Sequence, residues 1–401
     1  MDVIDIPAHV PPHLVTDINI FALPGAETDY IAAWLALQER GPDGLIWTTA
    51  NGGHWIGTRG DVVRSLWADT TRLSNEVLAV VPGLGEAMQL IPLQQDGATH
   101  KTFRDAVMKG FAGRHIAALE PQVQALAREL AQGLVARGSC EFMSEYAEIL
   151  PVDIFLSLID VPVGDRLHLR PLAAQLVRPD GSMGVIELRD AVDDYLRPRI
   201  VPRITNPGSD LFSRILAEPV HGRPWTEDEA LRMARNILFA GLDTVAALVG
   251  MTAMHLALHP QDQQLLRDNP DLIPAAADEF TRRYPSASVS RNAVEDVQVG
   301  DLTIRKGDIV YLPSVLHNLD AGSFDDPMAF RLDRKLNPTH HTTMGVGAHR
   351  CVGAGLARME LIVFLREWLA IIPPFTIAPG GRIAMKGGNV GTCTHLPIAW
   401  A

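Results

Sequence analysis

The chain has 401 residues, 47% hydrophobic and 20% charged, with a formal net charge of −12 at pH 7. Such a composition excludes a disordered protein, which could not bury enough apolar surface to fold, and offers none of the basic footprint of a nucleic-acid binder. The three cysteines, Cys140, Cys351 and Cys393, form no CxxC or zinc spacing, as expected of a protein in a reducing cytoplasm.

Residues 1–17 carry acids and prolines but no basic segment and no apolar core, so they read neither as a signal peptide nor as a membrane anchor. Strand-like runs at 45–48 and 55–58 flank Asn51-Gly52-Gly53, the pattern of a hairpin. From 101 to 266 the pattern turns helical, with apolar residues at three- and four-residue spacing over 115–137 and 233–258. Pro151, Pro162, Pro179 and Pro202 are expected to separate the helices. The stretch 236–258 is apolar enough to suggest a membrane span. Asp243 interrupts it, and the uncharged remainder falls short of the roughly 20 residues a bilayer needs. A central core helix is therefore expected there, and no membrane association. Strands return near 302–311, 375–377 and 396–398. Length alone would allow two or three domains. No linker, low-complexity tract or repeat marks a boundary, so residues 1–401 are expected to form one domain, mainly α with small β-sheets.

Cys351 lies in Met344-Gly345-Val346-Gly347-Ala348-His349-Arg350-Cys351-Val352-Gly353, just before an amphipathic run. Glycines at 345, 347 and 353 permit tight turns and close approach of the backbone to a flat ligand. The helix that follows would aim its unpaired amides at the sulfur and favour thiolate over thiol. A thiolate so held is the kind of axial ligand that drives O–O cleavage at haem iron, although a lone cysteine before a helix is usually just a small buried side chain.

Four other segments bear on the choice. Phe239-Ala240-Gly241-Leu242-Asp243-Thr244 places an acid beside an alcohol in an apolar helix, as a proton relay or as a polar pair satisfied in the core. Glu279 and Arg282 share a helix face among apolar neighbours, as a buried pair or a solvated one. Asn318, Pro327, Phe330 and Arg331 form an irregular stretch able to pack against that pair and organise the loop before Cys351. His100 and Arg104 at i, i+4, with Arg291 and His349, offer donors for a buried anion or are ordinary surface charge.

In this order and spacing the segments resemble a bacterial cytochrome P450 along essentially the whole chain. The likeness is to the camphor 5-monooxygenase subfamily, through Ile6-Pro7-Ala8-His9-Val10-Pro11, Asn51-Gly52-Gly53-His54-Trp55-Ile56, Arg178-Pro179-Asp180-Gly181-Ser182-Met183 and Gly241-Leu242-Asp243-Thr244. The resemblance implies a triangular helical prism enclosing haem b between a long distal helix and the helix after the Cys loop. It implies Cys351 as the metal ligand, with Gly345, Gly347 and Gly353 shaping its loop. His100, Arg104, Arg291 and His349 would bind the haem propionates, and Glu279 and Arg282 would be the structural pair behind the haem. Thr244 would place its hydroxyl beside the reacting oxygen, and Asp243 would pass protons to it. Substrate would meet Met88, Leu90, Leu93, Asn236, Phe239, Ala240, Ala287, Val289 and Val390.

Two departures stand out. The position seven before the cysteine, usually Phe in this family, is Met344, and Met88 stands where the camphor enzyme has a substrate-binding tyrosine. Camphor is therefore expected to bind poorly, and a terpenoid or norisoprenoid ring compound to be preferred, with Gln89 or Asn236 supplying any polar contact. The resemblance further implies a monomeric monooxygenase that uses O2. Its electrons would come from a [2Fe–2S] ferredoxin and an FAD-dependent reductase, docked on a basic patch drawn from Arg64, Arg72, Arg104 and Lys335. A peroxide-driven peroxygenase would not need the relay, and a haem sensor or carrier would leave it idle.

Overall fold

The computed structural model describes residues 5–77, 79–337 and 339–401, so Met1 to Ile4 of the acidic amino terminus lie outside the described residues. Its frame is helical. The Ala354–Ile371 helix buries Leu361, Phe364, Leu365 and Trp368, and packs along the Glu120–Val135 helix. Burying side chains of this size contributes about 1.5–3 kcal/mol each, which makes this pair the rigid base on which the Cys loop stands.

The hairpin forms as read. Leu45–Thr48 pairs antiparallel with His54–Gly57, and the turn between them places Asn51, Gly52 and Gly53 at φ of 52°, 91° and 87°. Three successive left-handed residues explain why Asn-Gly-Gly stands there. A six-stranded sheet runs in the order Val15–Thr16, Leu45–Thr48, His54–Gly57, Ile309–Leu312, Val289–Ala293, Leu73–Ser74. Its strand Val289–Ala293 carries Arg291 toward the functional region.

Several boundaries differ from the sequence reading. The 115–137 pattern is two helices, Gly113–Ala117 and Glu120–Val135, and the 302–311 stretch is two strands, Leu302–Ile304 and Ile309–Leu312. Pro202 ends nothing: it lies with Pro198 inside the Val185–Thr205 helix. Pro151 sits in the first turn of Leu150–Leu158, where a missing N–H costs no helical bond.

The expected central helix is also two, Glu227–Gly241 and Thr244–Leu258. The first begins at a capping box in which Thr226 and Glu229 bond each other's backbone N–H. The break falls at Leu242 and Asp243, the latter at φ −135° and ψ −35°. Thr244 Oγ1 donates to the Ala240 carbonyl at 3.0 Å, a bond that diverts this carbonyl from the helical ladder. Gly241 is required by packing, since a Cβ there would lie 2.4 Å from the Phe155 ring. Taken through the break, 227–258 is long and apolar enough to cross a bilayer, but 78% of its most apolar window is buried in the protein. It is a core element.

Candidate active site

The Cys loop is tied to itself first. Cys351 N–H donates to the Met344 carbonyl at 2.7 Å, and Gly345 N–H to the Thr342 carbonyl at 2.8 Å. Gly345 and Gly347 adopt φ of 72° and 68°, as their places in a tight loop require. Gly353 differs from expectation: at φ −84° it is not left-handed but caps the Ala354–Ile371 helix, and a Cβ there would sit 3.8 Å from Cys351 Sγ.

A buried polar network then holds the loop from behind. Glu279 and Arg282 are 1% and 0% exposed and pair through two bonds of 2.7 and 2.8 Å. Arg282 also donates to the carbonyls of Asn318 and Pro327, both at 2.9 Å, while Glu279 accepts from Arg331 N–H and Arg334 Nε at 3.1 Å. Asn318 Nδ2 donates to the Arg282 carbonyl and to Thr343 Oγ1, and its Oδ1 accepts from Thr342 N–H and Oγ1. The helix face is thus linked, bond by bond, to the residue before Met344.

Cys351 opens into a cavity of about 880 Å³ lined also by His100, Arg104, His349 and Arg350. That volume lies within the roughly 300–1,000 Å³ of cofactor sites. Protein encloses the sulfur on its other sides, and this enclosure raises the thiol's pKa; Gly353 and Ala354 N–H groups and the Arg104 and Arg350 guanidinium groups oppose the rise. The helix-end amides are therefore present as expected, and burial outweighs them. A coordinated thiol is deprotonated by the ion's own charge.

His100, His349 and Arg291 gather around Asp96, which sequence reading missed, while Arg104 donates to the Arg350 carbonyl. His349 Nε2 lies 3.4 Å from Asp96 Oδ1, and the His100 and His349 rings are 3.9 Å apart. Burial alone would raise the Asp96 carboxyl, but His349, Ser74 and Asn75 reverse this and hold it well below its ordinary range. Burial, then His349 and Arg104, lower His100 to about 4. Arg291 is 3% exposed, its Nε has no partner, and burial lowers it to about 10 against the pull of Asp96. A buried guanidinium with an unused N–H wants a further anion, which the carboxylates of a haem supply. His100 and Arg104 share a face of the Gly97–Gly110 helix, and Asp96 is the extended residue just before it, four positions ahead of His100, a spacing that could have revealed the acid.

A second pocket of about 160 Å³ gathers Leu90, Leu93, Asn236, Phe239, Ala240, Ala287, Val289 and Val390 with Thr244 and Arg291, as the sequence reading grouped them. Met88 is the exception. It is fully buried in the apolar cluster beneath and does not line this pocket. The cause is a clamp from the Glu227–Gly241 helix: Arg235 donates to the Ala87 and Met88 carbonyls, Arg232 to Gln89, and Asn236 to Ile91. Gln89, left-handed at φ 46°, is exposed and turned away from the pocket lining, which leaves Asn236 of the two polar candidates.

Asp243 is not free. Arg178 grips it through bonds of 2.6 and 2.7 Å, both side chains being about one-tenth exposed, and also donates to the Val390 carbonyl at 2.8 Å. The expected basic patch separates likewise. Arg104 lines the Cys351 cavity, Arg72 pairs with Asp69 at 2.6 Å, and only Arg64 and Lys335 share a surface cleft, with Arg331 and Arg334.

Residues 194–371 match the family model "Cytochrome P450". A probable cytochrome P450 127A1 from Sinorhizobium fredii is 33% identical, over 99% of this chain and 97% of that protein. Among solved structures, cytochrome P450 CYP101C1 is 64% identical with a TM-score of 0.92, and CYP101J2 is 36% identical with a TM-score of 0.90; each match covers 99% of this chain and 100% of the other. A helical prism, one cavity-facing cysteine on a glycine-rich loop, and buried cations short of an anion agree with these likenesses, and the chain belongs to the cytochrome P450 family of haem b monooxygenases, in the branch related to camphor monooxygenase.

Proposed function

We propose that the chain, acting as one domain in the cytoplasm, hydroxylates an unactivated C–H bond of a small hydrophobic cyclic compound of terpenoid or norisoprenoid type, rather than camphor. The observation that carries this reading is the apolar pocket of about 160 Å³ beside Thr244. A cavity of about 150 Å³ accepts benzene, so this pocket is on the scale of a single ring. With Met88 buried, no tyrosine-like hydroxyl projects into this space.

Haem b, ligated by Cys351, supplies the activation of O2 once reduced. The protein's own residues do the rest. His100, Arg104, Arg291 and His349 hold the propionates, and Leu90, Leu93, Phe239 and Val390 bind the substrate and exclude water. Thr244 donates its proton to Ala240, so its lone pairs are left to accept a hydrogen bond in the pocket. Asp243 moves protons from solvent, and does so when its ion pair with Arg178 opens. Electrons come from a [2Fe–2S] ferredoxin and its FAD-dependent reductase, received near Arg64 and Lys335, where the cleft is cationic.

The test is spectral and then catalytic. The reduced, carbon monoxide-treated protein should give a strongly red-shifted thiolate-type band, and a ferredoxin system with O2 should hydroxylate ring terpenoids. A histidine-type band would remove the monooxygenase. Turnover with peroxide alone, and none with O2 and ferredoxin, would make it a peroxygenase.

A further inference from the structure

Among the buried residues of the Glu227–Gly241 helix only Arg235 carries a charge. It is 4% exposed. One of its terminal nitrogens donates to the Met88 and Ala87 carbonyls at 2.7 and 3.3 Å. These close the short Leu84–Met88 helix, where carbonyls have no partner within the helix. Its Nε lies 3.0 Å from Asp193 Oδ1, on the Val185–Thr205 helix. Among the described residues no other cation pairs with Asp193, since Arg189 engages Asp190 and Arg197 engages Glu227.

One guanidinium thus joins two long helices to the segment that continues into Leu90 and Leu93 of the pocket wall. Neither Arg235 nor Asp193 lines that pocket. A buried ion pair adds little to stability, because well-packed apolar side chains of the same volume do as well or better. What it can supply is one fixed arrangement. The other ties to this segment fall on either side of Met88: Gln94 on the Gly85 carbonyl, Arg232 on Gln89 and Asn236 on Ile91. Arg235 alone holds the turn between them, the turn that keeps Met88 in the core and Leu90 at the wall.

We infer that Arg235 is a positioning residue for specificity and that Asp193 acts through it. The pair ties the Val185–Thr205 helix to the pocket wall and so restricts the pocket to a single ring. This inference rests on the substrate pocket of the reading above.

The experiment titrates the spin state of haem-loaded wild type, Asp193→Asn, Arg235→Leu and the double variant. The ligands are trimethylcyclohexane, with one ring, and decalin, with two, and the readout is the ratio of their dissociation constants. Wild type should prefer the single ring. Asp193→Asn should cut that preference about fivefold and Arg235→Leu about tenfold. The double variant should match Arg235→Leu, because the acid has no second route to the wall. Arg235→Lys keeps the charge but loses the planar fork, and should fall between wild type and Arg235→Leu. A merely structural role would weaken both ligands equally. That result, no preference in wild type, a ratio within about twofold of wild type in either single variant, or additive effects in the double variant overturns the assignment. Should Arg235→Leu fail to take up haem, Asp193→Asn and Arg235→Lys carry the same comparison of ratios. A thiolate-type carbon monoxide band is recorded first on each protein. Its absence from wild type would sink the monooxygenase reading, whereas an intact band with unchanged ratios sinks the role of Arg235 and Asp193 alone.

Discussion

Asn318 and Asn389 both stand near the active site, and the protein uses them in opposite ways. Asn318 is fully buried, with both ends of its amide bonded to Arg282, Thr342 and Thr343. Asn389 has its backbone held and its amide oxygen unpartnered. The first belongs to a scaffold that must present one sulfur atom in one geometry, so its hydrogen-bonding capacity is used within the protein. The second lines the pocket beside Thr244, where nothing in the protein takes up that enclosed oxygen. Preorganisation on the Cys351 side and unmet valence on the Thr244 side are two answers to different tasks.

Removing the atom that the scaffold presents should have the largest effect. Cys351→Ser should leave a protein that folds on its unchanged helical core but shows no thiolate-type band and no hydroxylated product above background; a surviving band would mean that another group ligates the iron. Next comes the scaffold itself. Arg282→Ala leaves the Glu279 carboxylate, which is 1% exposed, with only Arg334 Nε and Arg331 N–H as partners, and breaking one side of a buried pair costs up to about 3 kcal/mol when a second cation remains. Denaturant unfolding should show that loss, and haem content after purification should fall with it. Asn389→Ala, in contrast, should leave the unfolding midpoint nearly unchanged.

These two sides were not equally legible in the sequence. The Cys loop could be read because its signature residues lie close together in the chain, Glu279 and Arg282 three residues apart and Met344 and Cys351 seven, although the network that joins pair to loop spans 24–55 residues. The distal side depends on long-range contacts. Arg178 lies 65 residues from Asp243, and periodicity shows apolar faces but not which acid an arginine will find. The Met88 error has the same origin. Three side chains from the Glu227–Gly241 helix bond backbone carbonyls of 87–91, and Gln89 turns left-handed, so the side chain expected in the pocket points into the core instead. The break at Asp243 was hidden because apolar periodicity continues on both of its sides.

The scaffold side should also be acid-sensitive. His317 is lowered from 6.5 to about 4 by burial, reinforced by Arg64 and opposed by Asn318; His341 is lowered to about 4 by burial, then by Arg282 and Arg350. Both rings are buried and neutral when folded, so as pH falls below 6.5 the unfolded chain takes up the proton first. Stability is fully present above about pH 6.5 and is lost toward pH 4, on the order of 3 kcal/mol per ring. Unfolding free energy measured across this window should fall steeply in wild type and less so in His317→Gln. Equal slopes would show that other groups carry the acid dependence.

The smallest effect in free energy is the most informative about the distal side. Asp243 is bound to Arg178, which also donates to the Val390 carbonyl, so one guanidinium joins the proton path to the wall that touches substrate. Two roles for the acid can be separated. If Asp243 moves protons, Asp243→Asn should slow turnover by about 10²-fold, or about 2.7 kcal/mol, with an increased solvent isotope effect. Its substrate-induced spin shift should stay near wild type, because asparagine can still accept a bond from Arg178. If Asp243 only fixes the wall, the same variant should lose substrate affinity and keep its isotope effect. Arg178→Ala frees the acid and unties Val390 together, so it should weaken substrate binding while leaving proton delivery no slower than in wild type. The pair of variants therefore distinguishes a closed gate on a proton path from a strut in a pocket wall.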